Sequence, residues 1–168
     1  MISMVSIMLP RASVSANRIT EILETEPSVK DKETTKKLDP SKKGLVEFKN
    51  VSFRYPDADT EILEDINFTA ETGKTTAIIG STGSGKSTLV NLIPRFYDVT
   101  EGKITLDGID IRDIKQHDLR EKLGYVPQKG VLFSGNIASN IMFGNQDGTE
   151  AEMKEAAEIA QATELSLI

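Results

Sequence analysis

Apolar and polar residues alternate through much of Val46-Glu47-Phe48-Lys49-Asn50-Val51-Ser52-Phe53-Arg54-Tyr55 and the pattern stops at Pro56, which predicts a half-buried strand ending in a loop. Ile66-Asn67-Phe68-Thr69-Ala70 predicts a second strand, Glu71 to Lys74 a turn, and the apolar run within Thr75 to Ile79 a buried strand. The period then changes, and Thr88-Leu89-Val90-Asn91-Leu92-Ile93 reads as helix. Lys103-Ile104-Thr105-Leu106 and Ile109-Asp110-Ile111 flank Asp107-Gly108, a dipeptide suited to the positive φ of a tight hairpin. Thr149 caps an amphipathic helix that continues to Ala160.

The N-terminal part is of a different kind. Met1 to Leu9 is apolar and ends at Pro10 and Arg11. Nine helical residues span roughly 14 Å, under half of a hydrocarbon core of about 30 Å, so the run cannot cross a membrane alone. Nothing basic precedes it and no small-residue cleavage site closes it, unlike a secretory signal. Beyond Pro10, Val14, Arg18, Ile19, Ile22 and Leu23 predict an amphipathic helix to about Glu26, by periodicity alone an ordinary surface helix. Residues 27–44 are rich in Lys, Asp, Glu, Thr, Ser and Pro and read as a solvated tether, with the folded domain starting near Leu45.

Composition narrows the function classes. The 168 residues carry 26 acidic and 20 basic side chains, a net charge of −6, with Lys and Arg scattered. Nonspecific nucleic-acid binding needs a concentrated basic surface and is not expected. Without cysteine there is no disulfide, thiolate metal site or cysteine nucleophile.

The chemistry concentrates in Gly80-Ser81-Thr82-Gly83-Ser84-Gly85-Lys86-Ser87, which fits G-x-x-x-x-G-K-[ST] between the apolar Ala77-Ile78-Ile79 and the helix continuing through Thr88. Small residues let successive N–H groups turn toward a phosphate, and the helix aims its positive end at the same anion. Lys86 supplies a mobile charge to the outer phosphates, and Ser87 a hydroxyl for magnesium. A carboxylate at the end of an apolar strand is a second way to hold magnesium, but the turn suffices to explain Asp107.

With these residues the chain resembles the ATP-binding cassette (ABC) transporters, and among them the exporters whose membrane and ATP-binding domains share one chain. Phe53-Arg54-Tyr55-Pro56 is similar to the family's adenine-stacking segment and implies that role for Tyr55; packing of a strand-end tyrosine on the core is the alternative. Gly124-Tyr125-Val126-Pro127-Gln128 resembles the segment that sets a glutamine beside magnesium and the outermost phosphate, which implies that place for Gln128. Leu132-Phe133-Ser134-Gly135-Asn136-Ile137 with Asn140-Ile141 and Phe143-Gly144 resembles the start of the helical subdomain that contacts the membrane domain. Pro10 to Ile19 resembles the cytoplasmic end of a last transmembrane helix, in place of an independent surface helix.

The resemblance implies an α/β fold: the N-terminal portion of an ABC-type P-loop NTPase domain at 45–168, preceded by a linker at 27–44 and the end of a transmembrane helix at 1–26. It implies ATP and Mg2+ as ligands, with Tyr55, Gly80 to Thr88 and Gln128 around the nucleotide and Ser87 and Gln128 at the metal. It also implies a second nucleotide-binding domain, identical or not, and transmembrane domains as partners, at the cytoplasmic face of a membrane. The family's Leu-Ser-Gly-Gly-Gln signature, the strand ending in Asp-Glu and the downstream switch histidine do not occur in these residues, and His117 is expected to face solvent. The 168 residues are therefore expected to bind nucleotide at best, with negligible turnover and a marginal fold when expressed alone, while the parent chain hydrolyses ATP to drive export. A noncatalytic remnant or competing binding module, and a soluble ABC-type ATPase, are the competing readings.

Overall fold

Strand β1 (Val46–Phe53) lies between β2 (Leu63–Ala70) and β3 (Glu101–Leu106), antiparallel to both, and the two-residue β4 (Ile109–Asp110) extends the sheet to the order β2-β1-β3-β4. In this computed structural model residues 2–42 and 44–162 are described. Met1, Lys43 and the stretch 163–168, assigned from sequence to the helical segment, the linker and the nucleotide-binding portion, lie outside the described residues. The chain divides into two compact units, Met1–Gly124 and Tyr125–Ile168.

In the first unit, Phe48 pairs with Phe68 on one side and Ile104 on the other, and Phe53 pairs with Leu63. Strict alternation does not survive the whole of β1. Phe48, Val51 and Phe53 are all buried, because the register shifts between Phe48 and Val51 and the extra residue changes which face follows. Asn50 has φ +50 there, and Gly102 has φ +71 across from it. A Cβ on Gly102 would lie 2.1 Å from the Asn50 carbonyl oxygen, so the irregularity requires glycine on the opposing strand.

Helix α2 (Lys86–Leu92) lays Leu89 and Leu92, three residues apart, on this sheet. Ile111 in a 3₁₀ turn (Ile111–Asp113), Ile114, and Leu119 of α3 (Gln116–Arg120) complete the core. Burying side chains of this size contributes about 1.5–3 kcal/mol each. The β3–β4 connection is the expected Asp-Gly hairpin, with φ +53 at Asp107 and +83 at Gly108. The Asp107 carboxylate accepts from the backbone N–H groups of Leu45 (2.8 Å) and Gly44 (3.1 Å), a local structural task in place of a magnesium ligand.

The structure departs from the sequence expectation at one element. Residues 75–80 do not pair with the sheet, and Ile79 is 93% exposed. An apolar run becomes a strand only when a neighbour accepts from its N–H groups and donates to its C=O groups, and among the described residues none does. Helix α1 (Ile2–Glu24) is one helix with Pro10 inside it. Proline removes one helical hydrogen bond and crowds the preceding turn, but the helix continues on both sides. Met8, Val14, Ile19, Ile22 and Leu23 are exposed on α1, and no helix among the described residues is long and apolar enough to cross a membrane.

The polar segment after α1 is tied down. Asp113 accepts from Lys32 Nζ (2.5 Å) and Lys36 Nζ (3.0 Å), and its backbone carbonyl accepts from the Lys36 N–H. Asp31 accepts from Gln116 N at 3.1 Å. Arg95, 2% exposed and in the left-handed region at φ +56, donates from Nη2 to the Lys30 carbonyl (2.9 Å) and grips Asp98 through Nε and Nη2 at 2.6 and 3.1 Å. Arg120 holds the same turn, donating to the carbonyls of Pro94 and Arg95 with its guanidinium over the Phe96 ring. Residues 29–36 thus form a strap fastened near the C-terminal end of α2.

The second unit is assembled from local interactions. Helix α4 (Ile137–Ile141) starts with a capping box in which Asn136 and Ser139 satisfy each other's backbone N–H groups. The Asn140 side chain donates to the Phe133 carbonyl and accepts from its N–H, while the Phe133 and Phe143 rings stack at 4.2 Å. Helix α5 (Glu150–Ile159) begins at Thr149 as expected, its cap strengthened by the reciprocal Glu152.

The hydrogen bonds from Lys32 and Lys36 hold the Asp113 carboxyl down to about 2. A lowered folded-state value means that the tie is complete above the ordinary carboxylate range and is lost as pH falls through about 4 towards 2. By NMR, the Lys36 amide resonance should titrate with a midpoint near 2, and Asp113→Asn should remove that titration. At neutral pH the same substitution should accelerate amide exchange at Lys36 by about two- to fivefold, the scale of exposed ion pairs.

Candidate functional site

The loop 80–85 joins the unpaired residues 75–79 to α2, and two left-handed glycines shape it, Gly83 and Gly85, both at φ +82. Gly85 stands at the N-cap of α2, where no side chain caps the helix, and its carbonyl accepts from the Leu89 N–H at 2.8 Å. A Cβ at Gly85 would lie 2.9 Å from Leu63 Cδ2 and 3.2 Å from Ile62 Cγ2. The start of β2 therefore presses on the point where loop becomes helix. Gly83 has open space where a side chain would project.

Lys86 folds back over this loop. Its Nζ donates to the carbonyls of Gly80 (2.9 Å) and Ser81 (2.6 Å) and reaches Ser84 Oγ at 3.3 Å. The Ser84 N–H in turn donates to Ser81 O, which closes the loop. The first-turn N–H groups of α2 have no partner within the helix. Residues 75–88 contain no carboxylate. This stretch therefore offers an ammonium and backbone donors and no acidic side chain of its own, a set suited to an anion. For a polyphosphate to engage Lys86, the ammonium must trade at least one of its neutral loop acceptors for a charged oxygen, an exchange that favours the anion.

Ser87 is exposed beside Lys86 and has a neutral hydroxyl to offer a cation, so a metal here would need phosphate oxygens as further ligands. Thr88 is buried, and its Oγ1 shares a hydrogen bond of 3.1 Å with the Tyr55 hydroxyl. Tyr55 is half-buried at the end of β1, perpendicular to Phe53 at 4.9 Å and to Tyr97 at 5.1 Å. The first unit thus brings Tyr55 together with the helix that carries the phosphate-loop lysine. Gln128 belongs to the second unit, exposed at a bend. His117 faces solvent, 77% exposed, with its Nδ1 3.6 Å from Asp118 and 3.8 Å from Glu121.

Sequence reasoning missed Ile62 and Leu63, which support Gly85, and Tyr97, which touches Tyr55. The aromatic pair Phe96-Tyr97 just after α2 was the available signal for the last.

The family model described as "ABC transporter" matches residues 63–167. An uncharacterized ABC transporter ATP-binding protein of Mycobacterium bovis is 47% identical over 165 residues, covering 96% of this chain and 28% of its own length. An ATP-dependent lipid A-core flippase of Desulfotalea psychrophila is 41% identical over 161 residues, again covering 96% of this chain and 28% of the relative. Among solved structures, a bacterial Atm1-family ABC exporter with ATP bound superposes with a TM-score of 0.88 at 36% identity, over 100% of this chain and 30% of that one. The chain thus spans between a quarter and a third of the length of these proteins. With the phosphate-loop motif, the family model and relatives of this identity in agreement, the chain belongs to the ABC transporter family.

Proposed function

We propose that these residues are the phosphate- and base-binding part of an exporter's ATP-binding domain, and that the protein carrying them couples ATP binding and hydrolysis to export of a substrate across a membrane. The observation that carries this reading is the Lys86 ammonium, folded over a glycine loop at the start of α2 and hydrogen-bonded there to the neutral carbonyls of Gly80 and Ser81. Lys86 and the first-turn N–H groups of α2 hold the phosphates, Ser87 holds magnesium together with phosphate oxygens, and Tyr55 stacks on adenine. Bound magnesium supplies charge neutralisation at the outer phosphates. For Gln128, in the second unit, the role of positioning water and metal rests on the resemblance of Gly124-Tyr125-Val126-Pro127-Gln128 to the family's segment alone. A second nucleotide-binding domain completes the site, and transmembrane domains place it at the cytoplasmic face. The 41% identical relative is named as a flippase and the solved neighbour as an exporter with ATP bound, which supports this direction of transport. A residue set without an Asp-Glu pair after an apolar strand lacks the part that polarises water, so the isolated 168 residues bind nucleotide with negligible turnover.

In the full-length protein, Lys86→Ala should lower ATP hydrolysis by roughly a hundredfold or more and weaken ATP binding, because it removes the one mobile charge at the outer phosphates. Gln128→Ala should lower kcat by roughly tenfold or more with a smaller effect on ATP affinity. Retention of wild-type turnover by the Lys86 variant would overturn the reading.

Gly85→Ala tests the cradle itself. The left-handed backbone costs an L-residue roughly 1–2 kcal/mol, and the added methyl must displace Leu63 and Ile62. The melting temperature should fall by several degrees and ATP binding should weaken with it; an unchanged melt would show that the loop shifts without cost.

A further inference from the structure

Tyr55 is fixed at three points. Its ring is perpendicular to Phe53 (82°, centroids 4.9 Å apart) and to Tyr97 (89°, 5.1 Å), and Phe53 and Tyr97 also meet, at 5.6 Å. Its hydroxyl shares a hydrogen bond with Thr88 Oγ1, two residues beyond Lys86 on the first turn of α2. Tyr97 comes from the turn after α2, which Arg95 and Arg120 hold: Arg95 grips Asp98, and Arg120 donates to the carbonyls on either side of the Pro94–Arg95 bond. The ring that would meet a base is therefore braced by residues at both ends of the helix that follows the phosphate loop. A free aromatic side chain must be ordered when a ligand stacks on it, whereas a braced one meets the ligand already in place.

We propose that Tyr97 is a positioning residue for Tyr55, and that the Tyr55–Thr88 hydrogen bond sets the offset between the base-binding ring and the phosphate loop. Together they favour a ligand with a base at nucleoside-triphosphate distance over bare polyphosphate. Tyr97 acts in this way only if Tyr55 stacks on adenine, the assignment proposed above.

The test compares the dissociation constants of ATP and inorganic tripolyphosphate, in magnesium buffer, for the full-length protein and four variants. Tyr55→Ala removes the ring, Tyr55→Phe only its hydroxyl, Tyr97→Leu the brace, and Tyr97→Phe keeps the brace. Tyr97→Leu and Tyr55→Phe should each weaken ATP by roughly two- to tenfold, the scale of ordering one side chain, with tripolyphosphate unchanged. Tyr97→Phe should bind both ligands as wild type does. If Tyr97→Leu does not fold, Tyr97→Met replaces the ring by a flexible apolar chain and takes its place. Equal loss of both ligands would make Tyr97 a structural residue and overturn the proposal. An unchanged ratio in Tyr97→Leu and Tyr55→Phe, with a selective loss of ATP in Tyr55→Ala, would overturn the positioning role and leave the stacking role standing. An unchanged ratio in Tyr55→Ala would remove the stacking role and the positioning role with it.

Discussion

At Gly85 the backbone must be left-handed, must begin a helix, and must pass within van der Waals reach of Ile62 and Leu63. Any side chain there would violate the first and third conditions together. Because the turn is fixed, the next residue is too: Lys86 leaves the first turn of α2 and reaches back to the carbonyls of Gly80 and Ser81. The same turn orients Leu89 and Leu92 onto the sheet, so the packing of the core and the presentation of the ammonium follow from one constraint. The donor array of the loop is thus held from below by apolar contacts at the start of β2.

Around that turn the first unit is bound by contacts between residues far apart in sequence. The strap at 29–36 meets Asp113 and Gln116 across about 80 positions, and Arg95 takes the Lys30 carbonyl while gripping Asp98. Each exposed ion pair in this set contributes little. Arg95 differs because it is buried: removing Asp98 would leave its guanidinium desolvated with fewer partners, which costs more than the lost pair itself. Asp31, Lys32, Lys36 and Lys42, part of what reads as a solvated tether, are therefore matched to groups on the folded unit.

The parts legible in the sequence are those whose cause is local. Asp107-Gly108 specifies its turn through two positive φ values, and Thr149 with Glu152 specifies a helix start through hydrogen bonds three residues apart. The phosphate loop is legible for the same reason, since glycines, lysine and helix are contiguous. The illegible parts depend on distant partners. Ile78 and Ile79 have the composition of a buried strand, but pairing is supplied by another segment, and no described segment supplies it. The irregularity at Asn50 needs Gly102 opposite, the strap needs Asp113, and the brace on Tyr55 needs Tyr97 and Thr88. Pro10 lies inside α1 without ending it, because a single missing hydrogen bond does not end a helix whose turns on both sides are intact.

The alternative readings of Tyr55, a ring packed on the core or a platform for adenine, need not exclude each other. A ring with perpendicular neighbours and a bonded hydroxyl has already lost most of its rotational freedom, so stacking on it requires little further ordering. Core packing is what makes a tyrosine useful as a platform, provided part of it remains accessible, and Tyr55 is half-buried. Lys86 is ordered in a similar way, its ammonium held on the loop by the carbonyls of Gly80 and Ser81, beside the proposed phosphate site. Under the proposed assignments the two groups differ in one respect: the contacts that order Tyr55 stay in place beneath a stacked base, whereas Lys86 exchanges at least one loop carbonyl for a charged oxygen.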